Sequence, residues 1–199
     1  MTLTIGLLSY GESANTYSVK KALEKVGSHV IPVESTHDLS SAEMLVLPGV
    51  GGFKDAMEHL EEIAGDLVDA MHEKPTLGIC LGMQILAKIG YEYGEKAGLG
   101  IVDAQVERIE VSCKVPHLGW GSLKIERPSP IFEGIGPSDH FYFMHSYEMT
   151  NCPEVVARSR YCDHDFVSAV QKNSIFVVQF HPEKSRDAGL TILKNFIQL

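Results

Sequence analysis

The chain has 199 residues, 44% hydrophobic and 22% charged, with a formal net charge of −9. This length and apolar content suffice to bury a full core, so one domain spanning residues 1–199 is expected. An acidic balance without a basic run argues against nucleic acid or an anionic membrane surface as a partner, and no apolar segment approaches the length of a membrane span. The four cysteines, Cys80, Cys113, Cys152 and Cys162, show no CxxC spacing. Neither a metal site nor a disulfide framework is expected of them, and a reducing cytoplasm suits them.

The first eight residues are apolar, lack a basic n-region and run straight into polar residues, so they read as a first strand and not as a signal peptide. Strands are expected at Thr4–Leu8, His29–Val33, Met44–Leu47 and Thr76–Ile79. Between them, Val19, Ala22, Leu23 and Val26 form one helical apolar stripe; Met57, Leu60, Ile63, Leu67, Val68 and Met71 form another. This alternation is the rhythm of a parallel sheet covered by helices. After Gly100 strands dominate, at 101–111, 122–126, 141–144, 155–159, 166–170 and 175–180, followed by an amphipathic helix at 188–198. The expected fold is α/β: an open, mostly parallel central sheet flanked by helices, with an antiparallel strand-rich addition.

Three segments carry chemistry. Gly78-Ile79-Cys80-Leu81-Gly82 follows a buried strand and precedes the helix formers Met83-Gln84-Ile85-Leu86-Ala87-Lys88, so it reads as the cysteine version of a Gly-x-Ser-x-Gly nucleophile elbow. The first turn of the following helix would set positive partial charge beside the sulfur and favour the thiolate. Alone, the same five residues also suit a buried cysteine in an ordinary βα turn. Far downstream, Gln179-Phe180-His181-Pro182-Glu183-Lys184-Ser185 ends an apolar strand. His181 and Glu183 are two apart and share one side if the backbone stays extended, and Pro182 favours that conformation at His181. A carboxylate there would fix the imidazole tautomer for proton transfer to and from a thiol. The third segment, Leu47-Pro48-Gly49-Val50-Gly51-Gly52-Phe53, lies between a buried strand and a helix. It can present backbone N–H groups to a developing negative charge or serve as a structural turn; it lacks the Lys-Ser/Thr ending of a P-loop.

The elbow and the Gln-Phe-His-Pro-Glu segment together resemble the class I (triad) glutamine amidotransferases. Leu-Pro-Gly-Val-Gly-Gly-Phe at 47–53, Val-Pro-His-Leu-Gly-Trp at 115–120 and Phe-Met-His-Ser-Tyr at 143–147 narrow the resemblance to the glutaminase subunits of imidazole glycerol phosphate synthases. It covers essentially the whole chain. The resemblance implies L-glutamine as substrate, Cys80 as nucleophile, His181 as acid and base, and Glu183 as its orienting partner. It also implies an oxyanion hole from the N–H of Leu81 with Val50 or Gly51, and a grip on the substrate's amino and carboxylate groups by Gln84, His145, Ser146 and Tyr147. Ammonia would pass to a (βα)8-barrel cyclase subunit of the HisF type in a heterodimer, with Trp120, Tyr142, Lys184 and Asn15 at the interface. On sequence alone Trp120 reads equally as a core tryptophan at a strand start.

Residues 9–16 depart from the family's Asp-Tyr-Gly-x-Gly-Asn-Leu pattern: the acid is Ser9, the second glycine is missing and the spacing is one longer. That keeps open a paralogous glutaminase feeding another synthase, such as one amidinating a cell-surface sugar. An inactive scaffold would have no need of the triad, and a stand-alone thiol hydrolase has no peptide groove to support it. No cofactor or metal is implied, because the remaining histidines share no ligand spacing.

Overall fold

The computed structural model describes residues 2–10 and 15–199. Residues 11–14 of the departing 9–16 segment therefore lie outside the described residues. In chain order the elements are β1 (Thr4–Leu8), α1 (Asn15–Lys25), β2 (His29–Val33), α2 (Thr36–Ser41), β3 (Met44–Leu47), α3 (Phe53–Leu60), α4 (Ala64–Glu73), β4 (Thr76–Ile79) and the one-turn α5 (Leu81–Gln84). They continue as β5 (Ala87–Gly90), β6 (Lys96–Ala97), β7 (Val102–Arg108), β8 (His117–Gly121), β9 (Lys124–Ile125), β10 (Phe141–His145), β11 (Tyr147–Thr150), β12 (Val155–Tyr161), β13 (His164–Lys172), β14 (Ile175–Val178) and α6 (Arg186–Phe196).

The main sheet has eight strands in the order β2-β1-β3-β4-β14-β13-β12-β9. Its first five are parallel, and β14 onward pair antiparallel. Every residue of β3, β4 and β14 is buried, as expected of central parallel strands covered on both faces. Their side chains alternate between two cores. Leu45 and Leu47 join Phe53, Leu60, Leu67 and Met71 on the side of α3 and α4. Val46 joins Val19, Leu23, Leu193 and Phe196 on the side of α1 and α6. The closing helix thus packs against the same face as α1, and the chain's last elements hold its first ones in place. A four-stranded sheet (β11-β7-β5-β6) and the two-stranded antiparallel sheet of β10 and β8 form the addition.

The first four expected strands match to the residue, while several later expectations need correction. The helix expected through Lys88 stops at Gln84, because Ala87–Gly90 pairs with β6 and β7; a ladder on both sides outweighs the helix propensity of Leu86-Ala87-Lys88. The long stripe over 57–71 belongs to two helices. Strands β8 and β11 and helix α2 had not been expected, and β9 is only two residues long. Cys113 and Cys162 meet as a pair with their Cα atoms 6.5 Å apart, where the segment before β8 comes against the β12–β13 turn. Their separation of 49 residues gave no hint of this pairing.

Candidate active site

The parallel register brings the carboxyl ends of three central strands into one row: Leu47 opposite Gly78, and Val178 opposite Ile79. The carboxyl ends of strands are where open α/β sheets hold ligands. The three chemical segments emerge from this row.

Cys80 forms the turn itself, at φ 52° and ψ −104°, a conformation that costs a side-chain-bearing residue about 1–3 kcal/mol. Its neighbours hold it there. The Cys80 N–H donates to the Val178 carbonyl at 2.7 Å, and the N–H groups of Met83 and Gln84 donate to the Cys80 carbonyl at 3.0 and 3.1 Å. Glycines allow the close approach. A Cβ on Gly78 would lie 2.6 Å from the Gly82 carbonyl oxygen; one on Gly49 would collide with the Ile79 carbonyl and the Leu81 N–H, and one on Gly82 with the Leu47 carbonyl. The 48–51 turn is therefore seated directly on the elbow. Because α5 is a single turn, it supplies little of the macrodipole that the sequence suggested. Two polar groups reach the sulfur from elsewhere in the fold: the Gln179 amide N–H at 3.4 Å and the Met144 carbonyl at 3.7 Å.

His181 is fully buried. Its N–H donates to the Tyr142 carbonyl at 2.8 Å, and the Ser185 hydroxyl donates to its carbonyl at 2.6 Å. The backbone does not remain extended, since Pro182–Lys184 forms a 3-10 turn. That turn still brings the Glu183 carboxylate to the His181 ring, Oε1 to Nδ1 at 2.8 Å, with both side chains closed to solvent. Burial opposes the imidazolium, but the Cys80 sulfur and the Glu183 carboxylate outweigh it and raise the His181 pKa to about 10. Tyr10 is buried close enough to feel the same sulfur: burial first, then the charge of Cys80, pushes its hydroxyl pKa well up.

Asn15 differs from its expected role. It is buried at the start of α1, and its amide donates to Glu183 Oε1 at 2.9 Å, so it supports the carboxylate and is not an exposed contact. Trp120 lies on the surface at 44% exposure, which removes the core alternative. It pairs with Tyr142 across β8 and β10, their rings edge to face at 5.7 Å, and the Arg186 guanidinium covers its ring at 4.9 Å. Lys184 is exposed beside Glu183.

Cys80 forms part of the wall of a cavity of about 370 Å³, together with Val50, Gly51, Leu81 and Gln84. Ser146 and Tyr147 also line it, as do Glu92 and Arg108, two charged residues of opposite sign that no motif singled out. Glu92 also accepts the Phe53 N–H at 2.6 Å, which ties the start of α3, and so the 48–51 turn, to this wall. His145 reaches the cavity, but its ring nitrogens are committed inside the protein: Nδ1 to the Tyr147 carbonyl at 2.9 Å and Nε2 to His117 Nδ1 at 3.1 Å. Its ring is a support and not a substrate grip. Burial lowers the pKa of His145 to about 3 and that of His117 to about 4, so both are neutral at ordinary pH. The Gln84 amide is likewise engaged, donating to the Tyr147 carbonyl and to Gln179 Oε1.

A strained thiol on a strand-to-helix turn, a buried imidazole–carboxylate pair following the neighbouring strand and a polar cavity beside the thiol define a protein of the cysteine nucleophile-elbow class. The sequence profile described as Glutamine amidotransferase class-I matches residues 8–199. The chain belongs to that family. It is 42% identical to the imidazole glycerol phosphate synthase subunit HisH 1 of Campylobacter jejuni (strain RM1221), over 98% of this chain and 100% of the relative. It is also 42% identical to the HisH subunit of Aquifex aeolicus, over 96% and 94%. Among solved structures it superimposes on a glutamine amidotransferase with a TM-score of 0.75 and 25% identity, covering 96% of this chain and 98% of that one. A glutamine amidotransferase from Thermotoga maritima gives a TM-score of 0.68 at 16% identity, covering 100% and 97%, a likeness of fold alone.

Proposed function

We propose that this chain is the glutaminase subunit of an imidazole glycerol phosphate synthase, hydrolysing L-glutamine and delivering the ammonia to a (βα)8-barrel cyclase subunit. The carrying observation is the cavity beside Cys80, where a thiol backed by a buried His–Glu pair shares a wall with Glu92 and Arg108. A carboxylate and a guanidinium complement the α-ammonium and α-carboxylate of glutamine. Relatives about 42% identical over nearly the whole chain carry the HisH name.

In this mechanism the Cys80 sulfur attacks the carboxamide carbon, and the oxyanion is met by the Leu81 N–H and by Val50 or Gly51. His181, oriented by Glu183, gives its proton to the departing ammonia, leaving a glutamyl thioester. Water activated by the same imidazole then releases glutamate and restores the thiol. Gln84, Ser146 and Tyr147 position the substrate, and we place the reaction in the cytoplasm.

The partner would dock on the strip formed by Leu118 and Trp120 of β8 with Tyr142 and Met144 of β10, which pair across the two antiparallel strands. Leu118 is 54% exposed, and the Met144 carbonyl faces the Cys80 sulfur, so this strip lies one residue layer from the nucleophile. Exposed aromatic and aliphatic anchors of this kind suit an interface core. Lys184 would add a charge beside the strip.

The test is to mix the chain with a purified cyclase, glutamine and the nucleotide PRFAR. Glutamate release that rises only when cyclase and nucleotide are both present supports the assignment. Release indifferent to both would overturn it in favour of a paralogous glutaminase or an independent hydrolase.

A further inference from the structure

Gln179 leaves the carboxyl end of β14 and is fully buried, an environment in which each amide atom needs a partner. The direction of its amide is fixed by a chain of donors. The Tyr147 carbonyl can only accept, so Gln84 must turn its NH2 toward it, at 2.9 Å. That NH2 also meets Gln179 Oε1 at 3.1 Å. The Gln179 NH2 is then left for the opposite side, where it meets the Cys80 sulfur at 3.4 Å. A donor trained on sulfur binds the anion more strongly than the neutral thiol.

We propose that Gln179 is a catalytic residue: its carboxamide N–H holds the Cys80 thiolate in place for attack and links it, through Gln84, to the Tyr147 segment of the cavity wall. Gln179 thus supplies the donor that a one-turn helix cannot, and it connects the nucleophile to the wall that meets the substrate. The titratable groups that feel the sulfur's charge are His181 and Tyr10, while Gln179 meets the sulfur as neutral donor and the Met144 carbonyl as acceptor. The inference rests on Cys80 being the nucleophile.

The experiment compares wild type with Gln179→Met, which keeps the volume and loses the amide, and Gln179→Glu, which sets an anion beside the sulfur. Alkylation of Cys80 by iodoacetamide is followed from pH 5 to 10 by peptide mass spectrometry, which separates it from Cys152. Glutamine turnover is measured in the assembled complex. The expected result is an alkylation midpoint raised by about one pH unit in Gln179→Met and further in Gln179→Glu, and a kcat lowered about tenfold in Gln179→Met with KM changed less than threefold. Folded variants whose alkylation profile and kcat stay within twofold of wild type would overturn the proposal. Retained glutamine turnover in Cys80→Ala would instead overturn the nucleophile assignment beneath it. If neither Gln179 variant folds, the side-chain amide resonance of Gln179 in the wild-type chain decides. It should titrate with the alkylation midpoint of Cys80, and an amide signal indifferent to that ionisation rejects the proposal.

Discussion

Nδ1 of His181 and Oε1 of Glu183 lie 2.8 Å apart in a setting from which both side chains exclude solvent, and the pair is built by a 3-10 turn only three residues long. The turn folds the Glu183 side chain back onto the ring of the residue two before it. The Asn15 amide donates to the same Oε1 at 2.9 Å and holds it there.

Glu183→Gln should therefore leave the fold intact and lower glutamine-dependent turnover by at least about a hundredfold, because the amide neither charge-balances the imidazolium nor fixes its tautomer. Ammonium salts should still support product formation by the complex. The His181 resonance should titrate at lower pH, since one of the groups raising its pKa is gone. Turnover near the wild-type level would remove Glu183 from the mechanism.

Cys80 holds its side chain in a conformation better suited to glycine. Cys80→Ala and Cys80→Gly should both abolish glutamine hydrolysis. They should differ in stability, with the glycine variant more stable than the alanine variant by about 1 kcal/mol, because only alanine retains the strain. Urea denaturation measures this; equal midpoints would mean that the elbow stores no strain at this residue.

The neutral pair His117–His145 predicts acid sensitivity. Their folded pKa values, about 4 and about 3, lie below the unfolded value near 6.5. Below pH 6.5 the unfolded chain thus binds more protons than the folded one. Stability falls as pH drops from 6.5 toward 4, by up to about 1.4 kcal/mol per pH unit for each histidine, and these residues add no slope above pH 7. His145→Gln should flatten the dependence of the urea midpoint between pH 6.5 and 4.5. An unchanged slope would assign acid sensitivity to other groups.

Trp120 stands half exposed between Tyr142 and Arg186. Trp120→Ala should weaken binding to the cyclase at least tenfold, measured by titration calorimetry, while moving the thermal midpoint of the isolated chain by no more than about 2 °C. A large loss of stability with unchanged affinity would make Trp120 a fold residue.

The sequence by itself determined the elements whose signal is local. The four parallel strands from Thr4–Leu8 to Thr76–Ile79 were legible because runs such as Met44-Leu45-Val46-Leu47 are buried on both faces. The elbow and the His-Pro-Glu segment were legible because glycines and a proline leave the backbone few alternatives. Tertiary structure decided whatever depends on partners distant in the chain. Ala87–Gly90 became a strand because β6 and β7 pair with it, Asn15 turned inward because Glu183 needs a donor, and Glu92 and Arg108 met at the cavity from the turn after β5 and the end of β7, with no shared motif. Gln179 was in plain view beside His181, yet only the fold brought its amide to the Cys80 sulfur 99 residues away. A hydrogen bond depends on distance and direction in space, and sequence spacing encodes these only where the backbone between the partners is short.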